Sequence, residues 1–172
     1  MALLPVGATA PDLEARRIDG TSVRLSELRG HYVLVYFYPK DLTPGCTTEA
    51  CTLNEGLDEL GESGAEVIGV SFDTWQTHQR FQAKHNLRFP LAADDDHRIA
   101  AAYGVGRMLG LLPVTNRVSF LVDPQGSIAQ VWSKVRPGAH AADVLAAVRR
   151  HSGVVELSGQ RAETEVPTAP PS

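Results

Sequence analysis

Cysteine is scarce in this sequence: only Cys46 and Cys51 occur among 172 residues. A secreted domain held together by disulfides would need a larger set spread along the chain. The first residues, "MALLPVGATA", also lack the basic segment of a secretory signal peptide. These two absences predict a reducing cytoplasmic location, where disulfides are usually transient and catalytic rather than structural.

Long apolar runs and basic clusters are missing as well. The longest apolar run, "YVLVYFY" at residues 32–38, is far shorter than the roughly 20 residues that a membrane-spanning helix needs. The net charge is −4 and there is no block of Lys or Arg, so nothing in the sequence is suited to neutralising a run of phosphates. Neither a membrane nor a nucleic acid is therefore an expected partner.

Hydrophobic periodicity alternates between that of strands and that of helices along the chain. Predicted strands lie at 31–38, 65–72, 117–123 and 127–133, after an N-terminal hairpin at 12–24. Predicted helices lie at 46–62, 74–85, 97–104 and 139–151. This alternation predicts one α/β domain with a central sheet, covering residues 1–152. Residues 153–172 are polar and contain proline, and they are predicted to form a flexible tail.

Cys46 has a position that suits chemistry. It follows the end of the strand at 31–38 and the turn "PKDLTPG", and it opens the next predicted helix. Ligands bind at such strand ends in open α/β sheets. Partial positive charge and free N–H groups at a helix N-terminus favour the thiolate, which is the reactive form of cysteine. A small buried apolar residue, the usual alternative for a free cysteine, does not account for this placement.

Cys51 lies on another side of the same predicted helix. Over five residues, the two sulfurs point about 140° apart and the two Cα atoms are separated by roughly 8–9 Å. A disulfide requires less than about 7 Å between them. Either the two cysteines never bond, or the first turns of the helix unwind. Thr47, Thr48 and Gly56 are poor helix formers and would make unwinding easier.

A metal site is not expected in this sequence. Zinc commonly takes four ligands with two to four residues between paired cysteines, whereas here the spacing is C-x₄-C with no further cysteine. The six histidines are scattered. His78 and His85 are predicted to pack or solvate a helix face together with Phe81. No other cofactor is predicted either.

The cysteine region carries a family resemblance. "PKDLTPGC" matches the peroxiredoxin signature P-x-x-x-T-x-x-C through Pro39, Thr43 and Cys46. The second cysteine, Cys51, resembles the pattern of the bacterioferritin-comigratory, or Q-type, branch of that family. "RVSFLVDPQG" resembles the strand that carries the family's active-site arginine, which would be Arg117.

The resemblance extends over about residues 9–150 and implies a thioredoxin-like fold, with a central mixed sheet flanked by helices, and a thiol peroxidase. Cys46 would be the peroxidatic cysteine, oxidised by hydrogen peroxide or an alkyl hydroperoxide to a sulfenic acid. Cys51 would be the resolving cysteine, giving a disulfide that thioredoxin or a similar dithiol reduces. Because both cysteines lie in one chain, turnover requires no dimer, and a monomer is expected.

The resemblance also implies roles for four residues around Cys46. Thr43 would hold thiolate and peroxide with its hydroxyl, Arg117 would stabilise the thiolate and the leaving oxygen, and Pro39 would shield the sulfur. Plain turn chemistry is the alternative for Thr43 and Pro39. For Glu49 two interpretations stay open: a pairing that fixes the guanidinium of Arg117, or a carboxylate at the third position of the helix.

Other functions and one loop remain open at the level of sequence. The same residues could serve a redox sensor in which the disulfide is a switch, or a thioredoxin-like binding module whose cysteines merely pack. The loop "MLGLLP" at 108–113 carries large apolar residues that are unusual if merely solvated. It is expected either to pack onto the core or to rim the active site, where it would favour organic hydroperoxides or dock the reductant.

Overall fold

The computed structural model describes residues 2–153. The strands are β1 (Glu14–Arg16), β2 (Ser22–Arg24), β3 (Tyr32–Phe37), β4 (Ala65–Ser71), β5 (Leu91–Ala93), β6 (Val118–Val122) and β7 (Ile128–Trp132). The helices are α1 (Pro44–Glu55), α2 (Leu57–Glu62), α3 (Trp75–His85), α4 (Arg98–Tyr103) and α5 (His140–Ser152). Two short 3-10 helices cover Leu25–Leu28 and Met108–Gly110.

The seven strands form one mixed sheet in the order β2-β1-β5-β4-β3-β6-β7. Strand β4 runs parallel to β3 and β5, whereas β6, β7 and the N-terminal hairpin pair antiparallel. The central strand β3 is buried on both faces, which explains its continuous apolar run. Its side chains contribute alternately to two core clusters, one on each side of the sheet. The predicted α/β fold with a mixed sheet and an N-terminal hairpin is confirmed.

The register of the sheet brings the segment after β3 and the segment before β6 together at one edge of the sheet. In the antiparallel pair of β3 and β6, Phe37 lies opposite Val118. The end of β3 and the beginning of β6 are therefore neighbours. The turn at 39–43 and the start of α1 follow directly from β3, and Arg117 directly precedes β6.

The helix predicted at 46–62 differs from the observed structure in two ways. It begins earlier, at Pro44, because proline at the first helical position needs no hydrogen-bond acceptor and has a helical φ. It is also divided at Gly56 into α1 and α2, a residue type that is costly inside a helix. Strand β5 was not predicted, because three residues are too few to show a period.

Side chains hydrogen-bond to the first backbone N–H groups of α3 and α4, as the sequence indicated. The Thr74 hydroxyl accepts a hydrogen bond from the backbone N–H of Thr77 at 3.4 Å, so the predicted cap of α3 is confirmed. Of the three aspartates before α4, Asp94 accepts from the N–H groups of Ile99 and Ala100, both at 2.8 Å. A carboxylate there suits the positive end of a helix.

The last described helix, α5, ends at Ser152, where Gly153 adopts a left-handed conformation with φ of 76°. Apart from Gly153, the predicted tail at 153–172 lies outside the described residues, and the boundary of the domain at residue 152 stays a prediction. No helix within residues 2–153 is both long enough and apolar enough to cross a membrane.

Candidate active site

Cys46 occupies the first turn of α1, two residues after its first residue Pro44. The side chain is buried, with 1% exposure, and no side chain caps this end of the helix. Within residues 2–153, no acceptor contacts the backbone N–H groups of Gly45 and Cys46, whereas the N–H of Thr47 donates to the carbonyl of Thr43 at 2.8 Å. The sulfur therefore shares a helical turn with free N–H groups, which stabilise negative charge.

Arg117 contacts the sulfur directly. Its Nη2 lies 3.4 Å from Cys46 Sγ, and its Nη1 donates to Glu49 Oε1 at 3.2 Å. The Arg117 side chain is 19% exposed, and that of Glu49 is fully buried. The structure thus places the guanidinium between a thiol and a carboxylate, with one nitrogen on each. Of the two interpretations of Glu49, the pairing is the one observed, since the third helical position belongs to Cys46.

The surroundings of Glu49 are poor in hydrogen bonds. Burial raises the pKa of Glu49 to about 7, and the neighbouring Arg117 opposes the rise. Among the described residues, Glu49 Oε2 and the hydroxyl of Tyr36 are both buried without a hydrogen-bond partner. Burial, and then the charge of Glu49, also raises the pKa of Tyr36 well above its ordinary value. Glu49 can therefore change its charge close to neutral pH. It is linked to the sulfur through Arg117, which contacts both groups.

Gly45 is a site residue that sequence reasoning missed. A Cβ atom at this position would lie 3.2 Å from Arg117 Nη2, which is shorter than an ordinary van der Waals contact between carbon and nitrogen. The lack of a side chain lets the guanidinium approach the first turn of α1. The signal was present in the pair "PG" before Cys46, but it was interpreted only as part of a turn.

Thr43 and Pro39 lie in the turn, as the signature requires. Thr43 is the residue before α1, with an extended backbone, and its hydroxyl donates to the carbonyl of Lys40 at 2.8 Å. Because that bond uses the proton of the hydroxyl, its oxygen is left as an acceptor. Pro39 and Lys40 line a small cavity of about 110 Å³ together with Phe72 and Pro113.

Cys51 lies on the unbroken helix α1, and its thiol is partly exposed. Burial, followed by the charge of Glu55, raises its pKa. A thiol that stays protonated is a poor nucleophile toward peroxide, so the surroundings of Cys51 do not favour its attack on peroxide. Both cysteines are free in this structure. On one intact helix, the sequence-based Cα separation of roughly 8–9 Å applies, which is too long for a disulfide.

His78 packs inside the protein, which is one of the two predicted alternatives, but its polar partner was not predicted. It is fully buried, and its Nδ1 lies 2.6 Å from Asp41 Oδ2. His85 does pack on Phe81, with ring centroids 5.5 Å apart. Asp41 and His78 are 37 residues apart in sequence, and no local pattern connects them. The nearest signal was the position of Asp41 inside the signature turn.

The loop at 108–113 projects from the same edge of the molecule. Leu109 and Leu111 are 83% and 85% exposed, so packing of these leucines onto the core is excluded. At the end of the loop, Pro113 and Val114 line the small cavity beside Pro39. The exposed leucines therefore belong to a loop whose base adjoins the turn before Cys46.

Known proteins match this arrangement over most of the chain. The AhpC/TSA family model matches residues 6–131. Peroxiredoxin Bcp of Bacillus subtilis (strain 168) is 40% identical over 150 residues, which cover 83% of this chain and 93% of that protein. Peroxiredoxin Bcp of Escherichia coli (strain K12) is 37% identical over 153 residues, which cover 87% of this chain and 98% of that protein.

Solved structures agree with these sequence matches. Peroxidoxin BcpB of Mycobacterium tuberculosis superposes with a TM-score of 0.77 at 34% identity, over 86% of this chain and 97% of that one. The bacterioferritin comigratory protein of Xanthomonas campestris, studied for its alkyl peroxide reduction activity, gives a TM-score of 0.75 at 38% identity, over 88% of this chain and 99% of that one. Fold, signature turn and sequence lead to one assignment: the chain belongs to the AhpC/TSA family and is a peroxiredoxin of the bacterioferritin-comigratory (Q-type) branch.

Proposed function

We propose that this thiol peroxidase reduces hydrogen peroxide and organic hydroperoxides through Cys46, and that Cys51 resolves the oxidised form as an intrachain disulfide. The observation that carries the proposal is the contact of 3.4 Å between Arg117 Nη2 and Cys46 Sγ at the uncapped start of α1. A fixed cation and free N–H groups beside one buried sulfur favour its thiolate. The alkyl peroxide reduction described for the Xanthomonas relative supports the substrate class.

In the first step, the Cys46 thiolate attacks one oxygen of the peroxide and the O–O bond breaks. Cys46 becomes a sulfenic acid, and the other oxygen leaves as alkoxide or hydroxide and takes up a proton to form an alcohol or water. Arg117 is positioned to stabilise the charge that develops on the leaving oxygen. The Thr43 oxygen is free to accept a hydrogen bond from the hydroperoxide proton, and the proposed role of Pro39, in the turn before Cys46, is to shield the sulfur.

In the second step, the Cys51 sulfur attacks the sulfenic sulfur of Cys46. The S–O bond breaks, a disulfide forms, and the oxygen leaves as water. Since α1 holds the two residues too far apart for bonding, its first turns must unwind beforehand. A lack of strong capping at the beginning of α1 is consistent with a helix end that opens.

In the third step, a dithiol protein of the thioredoxin type reduces the disulfide by exchange and becomes oxidised itself. Both cysteines belong to one chain, so the proposed cycle operates in a monomer. A reducing cytoplasm would supply the dithiol.

The decisive experiment measures peroxide-dependent oxidation of reduced thioredoxin by the full chain. Cys46→Ser should abolish the reaction. Cys51→Ser should consume one equivalent of peroxide, form a stable sulfenic acid detectable by mass spectrometry, and stop.

Two outcomes would contradict the proposal. Full thioredoxin-dependent turnover by Cys51→Ser would remove Cys51 as the resolving residue. A single oxidation of the wild-type protein without turnover, despite reducible disulfide, would instead indicate a sensor that uses the same residues as a switch.

A further inference from the structure

A buried polar cluster underlies the turn before α1 and has no part in the chemistry above. At its centre is the carboxylate of Asp41. The hydroxyl of Tyr38 donates to Oδ1 at 2.5 Å, and Nδ1 of His78 lies 2.6 Å from Oδ2. The side chains of Asp41 and His78 are both fully buried. Buried charged groups are rare unless they are paired and hydrogen-bonded.

The acceptors fix the protons of this cluster. Nε2 of His78 lies 2.9 Å from the carbonyl oxygen of Ala92, which can only accept, so Nε2 carries a hydrogen. One further proton lies between Nδ1 and the Asp41 carboxylate. Burial raises the pKa of Tyr38 well above its ordinary value, so its hydroxyl remains a donor. The side chain of Asp41 is therefore held by two hydrogen bonds, one to Tyr38, directly after β3, and one to His78 of α3.

The backbone of Asp41 is held as well. Its N–H donates to Asp73 Oδ2 at 2.9 Å, and the same oxygen accepts from Ser71 Oγ at 2.6 Å. The next residue differs: Leu42 has a φ of 64° and is among the exposed large apolar residues. A left-handed conformation is strained for leucine. The chain thus passes from a fixed residue to a strained and exposed one just before the start of α1.

We propose that Asp41 is a positioning residue that holds the turn at 39–41 in place while the first turns of α1 unwind and refold. This inference rests on the proposed disulfide cycle, which requires α1 to open. With Asp41 tied to β3, α3 and the segment after β4, opening would begin at Leu42 and proceed into α1. After reduction, α1 would re-form next to a turn that Asp41 has kept in its native position. Cys46 would then return quickly to its contact with Arg117.

Hydrogen exchange of individual backbone amides tests the anchor directly. The protein is oxidised with diamide instead of peroxide, and the Cys46–Cys51 bond is confirmed by mass spectrometry. In the wild-type protein, the amide of Asp41 should stay equally protected in the reduced and oxidised forms. The amides of residues 47–51 should lose protection on oxidation. Loss of protection at Asp41 together with residues 47–51 would overturn the anchor.

Two substitutions separate anchoring from general stability. Asp41→Asn keeps an acceptor for Tyr38 and a donor for His78, so it should behave like the wild-type protein. Asp41→Ala keeps the backbone N–H but removes both side-chain bonds, and in the oxidised form its protection at residue 41 should fall by about tenfold or more. An equal fall in both redox forms would mean a structural role only, and would also overturn the proposal.

Recovery of the site is the second readout. After reduction of the diamide-formed disulfide, the return of Cys46 reactivity toward peroxide should be slower in Asp41→Ala than in Asp41→Asn, by about tenfold. Equal recovery would count against the anchor. Failure of diamide to form any Cys46–Cys51 bond would overturn the resolving step and the anchor together, whereas a formed bond with an unprotected residue 41 overturns only the anchor.

Discussion

The guanidinium of Arg117 contacts both the Cys46 sulfur and the Glu49 carboxyl group. One nitrogen contacts Cys46 and another contacts Glu49, so the carboxylate orients the cation but also offsets part of its charge. Burial, which raises the pKa of Glu49 to about 7, makes that offset incomplete near neutral pH. Glu49 therefore positions the guanidinium, and Arg117 supplies the positive charge. The effect of that charge on Cys46 depends on the distance between Arg117 and the sulfur.

Gly45 offers a direct test of that distance. Gly45→Ala would place a carbon 3.2 Å from Arg117 Nη2 and should push the guanidinium away from Cys46. We expect the rate of Cys46 oxidation by peroxide to fall by about 10- to 100-fold, the size of effect that a small misplacement in an active site produces. Stopped-flow measurement of the oxidation step would report it.

A matched glycine provides the control. Gly61 lies in α2 with nothing near the position of its Cβ, so Gly61→Ala should leave the oxidation rate unchanged. Disulfide formation after oxidation should be affected little in either variant, because Arg117 acts in the first step. If Gly45→Ala slowed both steps equally, displacement of Arg117 would not be the cause.

At the scale of elements, the sequence predicted those whose signals are local. Strand β3 is a continuous apolar run, and α3 begins at a threonine cap, so both appear in the sequence itself. Strand β5 has only three residues and exists because β4 and β1 pair with it. Its stability comes from tertiary pairing, which no short window of sequence contains.

The candidate site divides in the same way. Cys46 and Arg117 were found because a signature and a strand pattern identify them, although their contact depends on the register of β3 and β6. The bond between Asp41 and His78 connects two elements 37 residues apart and has no period or spacing to reveal it. Local chemistry could be predicted from sequence, whereas the support beneath the turn required the fold.

The exposed loop carries a prediction at the scale of an element. Leu109 and Leu111 project into solvent from a loop whose end, at Pro113, lines the cavity beside Pro39. If they reach the active site, they would contact the organic part of a hydroperoxide. Leu109→Ser and Leu111→Ser should lower catalytic efficiency for cumene hydroperoxide relative to hydrogen peroxide by up to about tenfold, the value of one small apolar contact. Steady-state kinetics with both peroxides would measure the ratio.

An exposed apolar residue elsewhere serves as the control for the loop. Ile18 lies in the turn of the N-terminal hairpin and is also exposed, so Ile18→Ser should leave the ratio unchanged. A docking role would instead raise the Michaelis constant for the thioredoxin-type reductant. Unchanged ratios and an unchanged constant in both leucine variants would exclude both roles.

At the scale of the whole molecule, two buried groups act on stability in opposite directions. Burial raises the pKa of Glu49 to about 7, and burial lowers the pKa of His140 to about 4. His140 Nε2 lies 2.8 Å from Ser119 Oγ, and its Nδ1 is buried without a partner among the described residues. Each group binds protons differently in the folded and unfolded chain, so each makes the free energy of unfolding depend on pH.

The signs follow from which state holds the extra proton. Between the ordinary Glu value of 4.5 and about 7, folded Glu49 holds a proton that the unfolded chain has lost, so stability falls as pH rises. Between about 4 and the ordinary His value of 6.5, unfolded His140 holds a proton that the folded state lacks, so stability rises with pH. Each slope is at most about 1.4 kcal/mol per pH unit, and the two oppose each other where the windows overlap.

Removing either group should expose the slope of the other. Between pH 4.5 and 6.5, the free energy of unfolding of Glu49→Gln should rise more steeply with pH than that of the wild-type protein. Over the same range, the free energy of unfolding of His140→Gln should fall more steeply with pH than that of the wild-type protein. Urea unfolding at a series of pH values measures both, and subtracting the wild-type curve removes the other titrating groups. Glu62→Gln and His151→Gln, on the exposed ends of α2 and α5, should give curves parallel to the wild type. Parallel curves for Glu49→Gln would show that Arg117 keeps the carboxylate ionised throughout this range, so that burial does not control its charge.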